Sequence, residues 1–171
     1  MEGQVQVYTG EGKGKTTAAL GLTLRAVGSG LKVYIGHVMK KGEYGEMVAL
    51  KRLGDSVTAE QFGTGKFVRG KPDAEDIASA HRGLDAVRAA MLSGAYDLVI
   101  ADEINVAAAL GMLTEQDLLN LIKDRPHQVE LVLTGRGAPE TVVAAADLVT
   151  EMRAVKHYYE KGIQARKGIE H

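Results

Sequence analysis

The chain has 171 residues, of which 45% are hydrophobic, with a formal net charge of −1 and no cysteine. That length suits a single domain around one sizeable core, and the missing thiols exclude disulfides, thiolate metal sites and a cysteine nucleophile. Near-balanced charge and the lack of tryptophan argue against nucleic acid. No apolar run nears the roughly 18–20 residues of a membrane span and no signal-peptide pattern opens the chain, so a cytoplasmic protein is expected.

Gln4 to Tyr8 (QVQVY) alternates and reads as a strand. TGEGKGKT follows at 9–16. It approaches the phosphate-loop form G-x-x-x-x-G-K-[ST], with Thr9 where the first glycine belongs and Gly10 and Gly12 supplying the flexibility. Small residues let backbone N–H groups turn inward around phosphate oxygens. The helix that opens near Gly14 adds its positive end. Lys15 is placed for the outer phosphates and the Thr16 hydroxyl for a magnesium ion, with Lys13 as a second cation in the same turn. An ordinary glycine-rich turn is the bland alternative, disfavoured because the segment sits between a strand and a helix.

Thr16 to Val27 reads as that helix, closed by Gly28 and Gly30 and carrying Arg25. Lys32 to Val38 is a second strand, Met47 to Leu53 a short helix and Val57 to Phe62 a third strand. The stretch GTGKFVRGKP at 63–72 is a basic loop with Phe67. Asp73 to Ser93 is the clearest helix, with Ile77, Ala80, Leu84, Val87 and Met91 on one face. YDLVIA then runs into Asp102 and Glu103, an apolar strand ending in two acids. In phosphate-loop proteins such an acid holds magnesium, directly or through water. Successive side chains point apart, so one acid can serve the metal while the other faces the ligand.

Thr114 to Ile122 reads as a helix with Thr114 as N-cap and Asp117 in the capping-box position, a poorer fit there than Glu or Gln. Val129 to Leu133 is a strand, followed by Thr134-Gly135-Arg136. An Arg at that edge can grip phosphate with its rigid fork of donors. Pro139 to Ala145 is helical and Leu148 to Glu151 a last short strand; the tail from Arg153, with His157, carries no readable element. Strands alternating with helices predict an α/β fold, three-layered, with a mostly parallel sheet covered on both faces. These features point to a nucleoside triphosphate with magnesium and leave the reaction open. Phosphoryl transfer, hydrolysis and attack at the sugar carbon all need cations around a triphosphate.

Six segments, in order, resemble one family: TGEGKGKTTAALG at 9–21, RAVGSG at 25–30, QFGTGKFV at 61–68, YDLVIADEIN at 96–105, RPHQVELVLTGRGAPE at 125–140 and ADLVTEMRAVKHYYEKGIQARKGIEH at 146–171. The chain is similar to the ATP:corrinoid adenosyltransferases of the bacterial cobalamin pathway. The resemblance implies a single RecA-like P-loop domain over 1–171, working as a homodimer, with ATP and a reduced corrinoid as substrates. Cob(I)alamin and cob(I)yrinic acid a,c-diamide are the corrinoids implied. It places Gly10, Gly12, Gly14, Lys15, Thr16 and Thr17 on the triphosphate, with the nucleotide reversed relative to ordinary NTPases. Arg25 and Arg136 become further nucleotide contacts, and Thr16, Asp102 and Glu103 the magnesium site. The 63–68 loop, with Phe67, approaches the corrin; Thr9, Lys13 and His157 complete the candidate contacts, His157 reading equally well as a surface histidine. Lys15, Glu103 and Arg136 are the candidate catalytic residues.

In the implied reaction the cobalt(I) of the corrinoid attacks the ribose 5′ carbon and intact triphosphate leaves. That accounts for the missing side-chain nucleophile and calls for an external reductant such as a flavoprotein. Larger relatives close over the corrinoid with an N-terminal extension. Here the first strand begins almost at once, so closure is expected to come from elsewhere or to be incomplete. A P-loop small-molecule kinase or NTPase is the main rival, and a nucleotide-dependent interaction module the non-enzymatic one.

Overall fold

A computed structural model describes residues 2–66, 68 and 70–170. Six strands, β1 (Val5–Thr9), β2 (Val33–His37), β3 (Val57–Gln61), β4 (Leu98–Asp102), β5 (Glu130–Thr134) and β6 (Leu148–Glu151), form one sheet. Their order is β3-β2-β4-β5-β1-β6, and every neighbouring pair is parallel. Parallel neighbours need crossovers, which the helices supply. These are α1 (Lys15–Gly28), α2 (Gly45–Lys51), α3 (Ala74–Leu92), α4 (Ile104–Ala109), α5 (Glu115–Lys123) and α6 (Glu140–Ala145).

The two faces of the sheet are read directly from the alternation along β4. Leu98 and Ile100 join Val33, Ile35 and Val132 in a cluster with Ala19 and Ala26 of α1 and Leu50 of α2. Val99 and Ala101 point the other way, into a cluster with Leu131, Leu133, Leu84, Val87 and Met91 of α3, and Leu118 and Leu121 of α5. Both faces are therefore covered, and the central strands β2 and β4 are buried along their whole length. This is why they read as unbroken apolar runs.

Element boundaries fall within a residue or two of expectation for every strand. Three local differences have physical causes. The face of α3 is right for Ala80, Leu84, Val87 and Met91, but Ile77 lies in the first turn and stays 37% exposed, beyond the edge of the core. Helix α4 has no capping residue in the sequence. It starts because Glu103 takes a left-handed backbone, φ 64°, that turns the chain sharply off β4. The Thr114 cap closes a full box: its hydroxyl accepts from the Asp117 N–H and the Asp117 carboxylate accepts from the Thr114 N–H at 2.8 Å. The shorter Asp side chain thus does what Glu usually does.

In the tail, a single 3-10 turn at Tyr158–Lys161 is the only regular element among the described residues after β6. No helix among the described residues is long and apolar enough to cross a membrane.

Candidate functional site

Parallel strands align their carboxyl ends on one edge, where ligands of open α/β sheets bind. Here that edge carries Thr9 of β1, His37 of β2, Asp102 of β4 and Thr134 of β5. The glycine-rich loop leaves β1 at this edge and enters α1 at Lys15. A cleft of about 860 Å³ opens beside it, large enough for a substantial small molecule. Gly12, Lys13, Gly14, Lys15, Thr16 and Thr17 line one side, and Glu103, Thr134 and Arg136 another. His157 and Glu170 close in from the tail.

The loop is shaped by a close backbone approach. The Gly12 N–H donates to the Met152 carbonyl at 2.6 Å, just past β6. A Cβ on Gly12 would sit 2.7 Å from that carbonyl and from the Arg153 backbone, so only glycine fits. Lys15 Nζ donates to the carbonyls of Gly10 and Gly12, 2.6 Å each. Burial pushes its pKa down, aided by the Arg136 guanidinium and opposed by the Glu11 and Glu103 carboxylates. Lys13 Nζ lies 3.3 Å from the Glu170 carboxylate, which also accepts from Tyr158 Oη and Arg166, so the tail is strapped to the loop.

Asp102 is the hub. Its Oδ1 accepts from Thr16 Oγ1 at 2.8 Å and Thr134 Oγ1 at 2.7 Å. Its Oδ2 accepts from His37 Nδ1 at 2.8 Å and Lys40 Nζ at 3.1 Å. Burial alone would raise the pKa of this carboxyl, but these donors and the Lys40 charge hold it well below the usual carboxylate range. Glu103 is different. Burial and the adjacent Asp102 charge push its pKa up, against Lys40, His37 and Arg136. The Glu103 N–H is fixed by Thr134 Oγ1 at 2.9 Å, while the side chain lines the cleft. Gly135, at φ 134°, packs where a Cβ would meet the Val106 N at 2.8 Å, which lets the Thr134–Arg136 turn lie against the start of α4.

The sequence candidates therefore converge for Gly12 to Thr17, Glu103, Arg136 and His157, all in the cleft wall, with Asp102 beneath it. Gly10 and Thr9 support the loop from behind. Gly10 receives Lys15, and Thr9 Oγ1 accepts from the Ala138 N–H at 3.3 Å. Arg136 is 60% exposed and 3.6 Å from Glu11, an exposed surface pair of small energetic weight. Arg25 lies in the last turn of α1, away from the cleft lining. Phe67 lies outside the described residues. His37 and Lys40 were not singled out by sequence. The signal available was a basic residue at each side of VM on the strand-to-loop junction HVMK, too common a pattern to mark a site.

A family model described as ATP:corrinoid adenosyltransferase BtuR/CobO/CobP matches residues 1–171. A corrinoid adenosyltransferase of Pseudomonas aeruginosa is 36% identical over 169 residues, 98% of this chain and 83% of that protein. The corrinoid adenosyltransferase of Escherichia coli K12 is 33% identical over 171 residues, 99% of this chain and 86% of that protein. Among solved structures, a KaiC-like protein from Pyrococcus horikoshii matches in fold with a TM-score of 0.50 at 15% identity, over 91% of this chain and 74% of that one.

Proposed function

Because this chain belongs to the ATP:corrinoid adenosyltransferase family, we propose that the cleft beside its glycine-rich loop is where the reaction takes place. The enzyme transfers the adenosyl group of ATP to the cobalt of a corrinoid. The observation that carries the location is the gathering of Lys15, Thr16, Glu103 and Arg136 around one cleft at the carboxyl edge of the sheet. We read the domain as RecA-like, one unit over residues 1–171, supported by the parallel strand order and the loop between β1 and α1.

In this reading the backbone N–H groups from Gly12 to Thr17 and the Lys13 and Lys15 ammonium groups hold the triphosphate. The corrinoid cobalt(I), a substrate, donates an electron pair to the ribose C5′. The C5′–O bond breaks, its electron pair leaves with triphosphate, and cobalt becomes formally cobalt(III). No proton has to be removed from the nucleophile, which fits a cleft whose described lining holds no Ser or Cys and a single His, His157. The chain's work is alignment and charge handling. Lys15 leaves its carbonyl partners for phosphate oxygens, and Arg136, held loosely, turns onto the leaving group.

The residues present fit a magnesium ion. Thr16 Oγ1 and Asp102 offer hard oxygen donors 2.8 Å apart, with Glu103 beside them. That pair already attracts one cation, the Lys40 ammonium. Among the described residues no group of three or more His, Cys, Asp or Glu is set up to hold a metal alone. A donor set this small matches an ion that keeps waters and shares substrate phosphates. When bound, the ion would neutralise charge on the triphosphate. A homodimer, a flavoprotein or other reductant, and a place for His157 against the corrinoid complete the reading.

The test is an anaerobic assay with ATP, magnesium and chemically reduced cob(I)alamin. Light-sensitive adenosylcobalamin with free triphosphate is the expected product pair. Replacement of Thr16 with Val should raise the magnesium concentration needed for half-maximal rate. An unchanged magnesium requirement would overturn the Thr16 assignment, and ADP as product would overturn the reaction.

A further inference from the structure

Lys40 stands three residues beyond the end of β2, and its side chain turns back to the Thr16–Asp102 pair under the cleft. Its Nζ lies 3.1 Å from Asp102 Oδ2, 3.4 Å from Thr16 Oγ1 and 3.7 Å from Glu46 Oε1. The backbone is pinned, since the Gly63 N–H donates to the Lys40 carbonyl at 3.1 Å. The ammonium is thus wedged against the same two side chains that fit a magnesium ion. A second resting place is at hand, because the Tyr44 ring centroid is 5.9 Å away, within cation–π range. Lys40 also lines the cleft, so a bound triphosphate would offer it a third.

We propose that Lys40 is the resident cation of the Thr16–Asp102 site, a positioning residue that holds the two donors in register and gives up its place when metal arrives with nucleotide. Two consequences follow from electrostatics alone. A tethered unit positive charge a few ångströms from the site opposes a divalent ion, so metal alone binds weakly to the nucleotide-free enzyme. The apparent affinity is reduced by the fraction of time the ammonium occupies the site. Nucleotide removes that penalty, because its phosphates give the ammonium somewhere to go. The same movement delivers a positive charge to the triphosphate as the metal enters. The site is therefore built to load metal and ATP together, not metal first.

This inference rests on the assignment of Thr16 and Asp102 to the metal. The test is Mn2+ binding followed by the electron paramagnetic resonance signal of the free aqueous ion, with no nucleotide and no corrinoid present. Lys40→Met should bind Mn2+ at least about tenfold more tightly than wild type, since the competing charge is gone. Lys40→Arg, which keeps the charge, should stay weak. A loss of structure would lower metal affinity, so a gain is not a by-product of damage. Lys40→Gln serves as the second variant if the methionine disrupts folding. Mn2+ affinity in Lys40→Met or Lys40→Gln equal to or below wild type overturns the proposal. A parallel titration of Asp102→Asn with Mn2+ and ATP separates the two ideas. If that variant binds as wild type does, the metal assignment falls and the Lys40 proposal with it. If Asp102→Asn weakens binding while the Lys40 variants show no gain, the Lys40 proposal alone falls.

Discussion

Lys15 and Asp102 are both held in place by hydrogen bonds to the loop and strands around them. The Lys15 ammonium donates to the carbonyls of Gly10 and Gly12, so it holds the loop's own backbone until a better acceptor arrives. If it then meets charge developing on the leaving triphosphate, Lys15→Ala should lower kcat by about 100-fold or more. Steady-state kinetics within about twofold of wild type would rule that role out. Asp102 has its pKa depressed, so it lends stability that is present above its ordinary value of 3.8 and is lost as pH falls through the folded value. Urea titrations from about pH 6 down to about pH 2 should show a shallower loss for Asp102→Asn than for wild type. Parallel curves for the two proteins would mean that this carboxyl does not drive acid unfolding.

The glycine-rich loop is an element whose shape is imposed from outside. Gly12 rests on the backbone of Met152 and Arg153, immediately after β6. Gly12→Ala should therefore push the loop off that support and weaken ATP binding by about tenfold, with far-ultraviolet circular dichroism unchanged. Equal ATP affinity by calorimetry would show that the contact is dispensable. The loop and its helix were legible in the sequence because small residues, lysines and a hydroxyl are required locally. Its support by residues 152–153 was not legible, because that contact depends on β6 lying beside β1. Helix α4 was missed for a related reason. INVAAA has no cap, and the turn that launches it is a strained Glu. The acids at the end of β4 were legible as a pair, but their separate electrostatic roles were not. Those depend on His37 and Lys40, brought in by β2 as the neighbouring strand.

At the scale of the whole molecule, two packed layers fix the carboxyl edge at which Lys15, Thr16, Asp102, Glu103 and Arg136 gather. Leu131 is fully buried at the centre of one layer, while Ile77 is 37% exposed at its margin. Leu131→Ala should cost about 2–5 kcal/mol in denaturant unfolding and Ile77→Ala much less; similar losses would mean that the margin of α3 is part of the core. The strands and the helix faces were legible to the extent that alternation and helical period encode them, whereas the strand order, β3-β2-β4-β5-β1-β6, was set only by long-range packing. The left-handed turn at Glu103 ties this scaffold to its site. A carboxylate there holds a backbone shape that glycine would adopt freely, at a cost of order 1–3 kcal/mol. Glu103→Gly should accordingly unfold at a higher temperature while turning over more slowly; a lower melting temperature would dispose of the strain. Two laboratory selections on one gene library would then part company at a single codon. Heat challenge alone would enrich glycine or asparagine at position 103, and growth that depends on the product would restore glutamate, so the allele recovered would reveal which pressure had been applied.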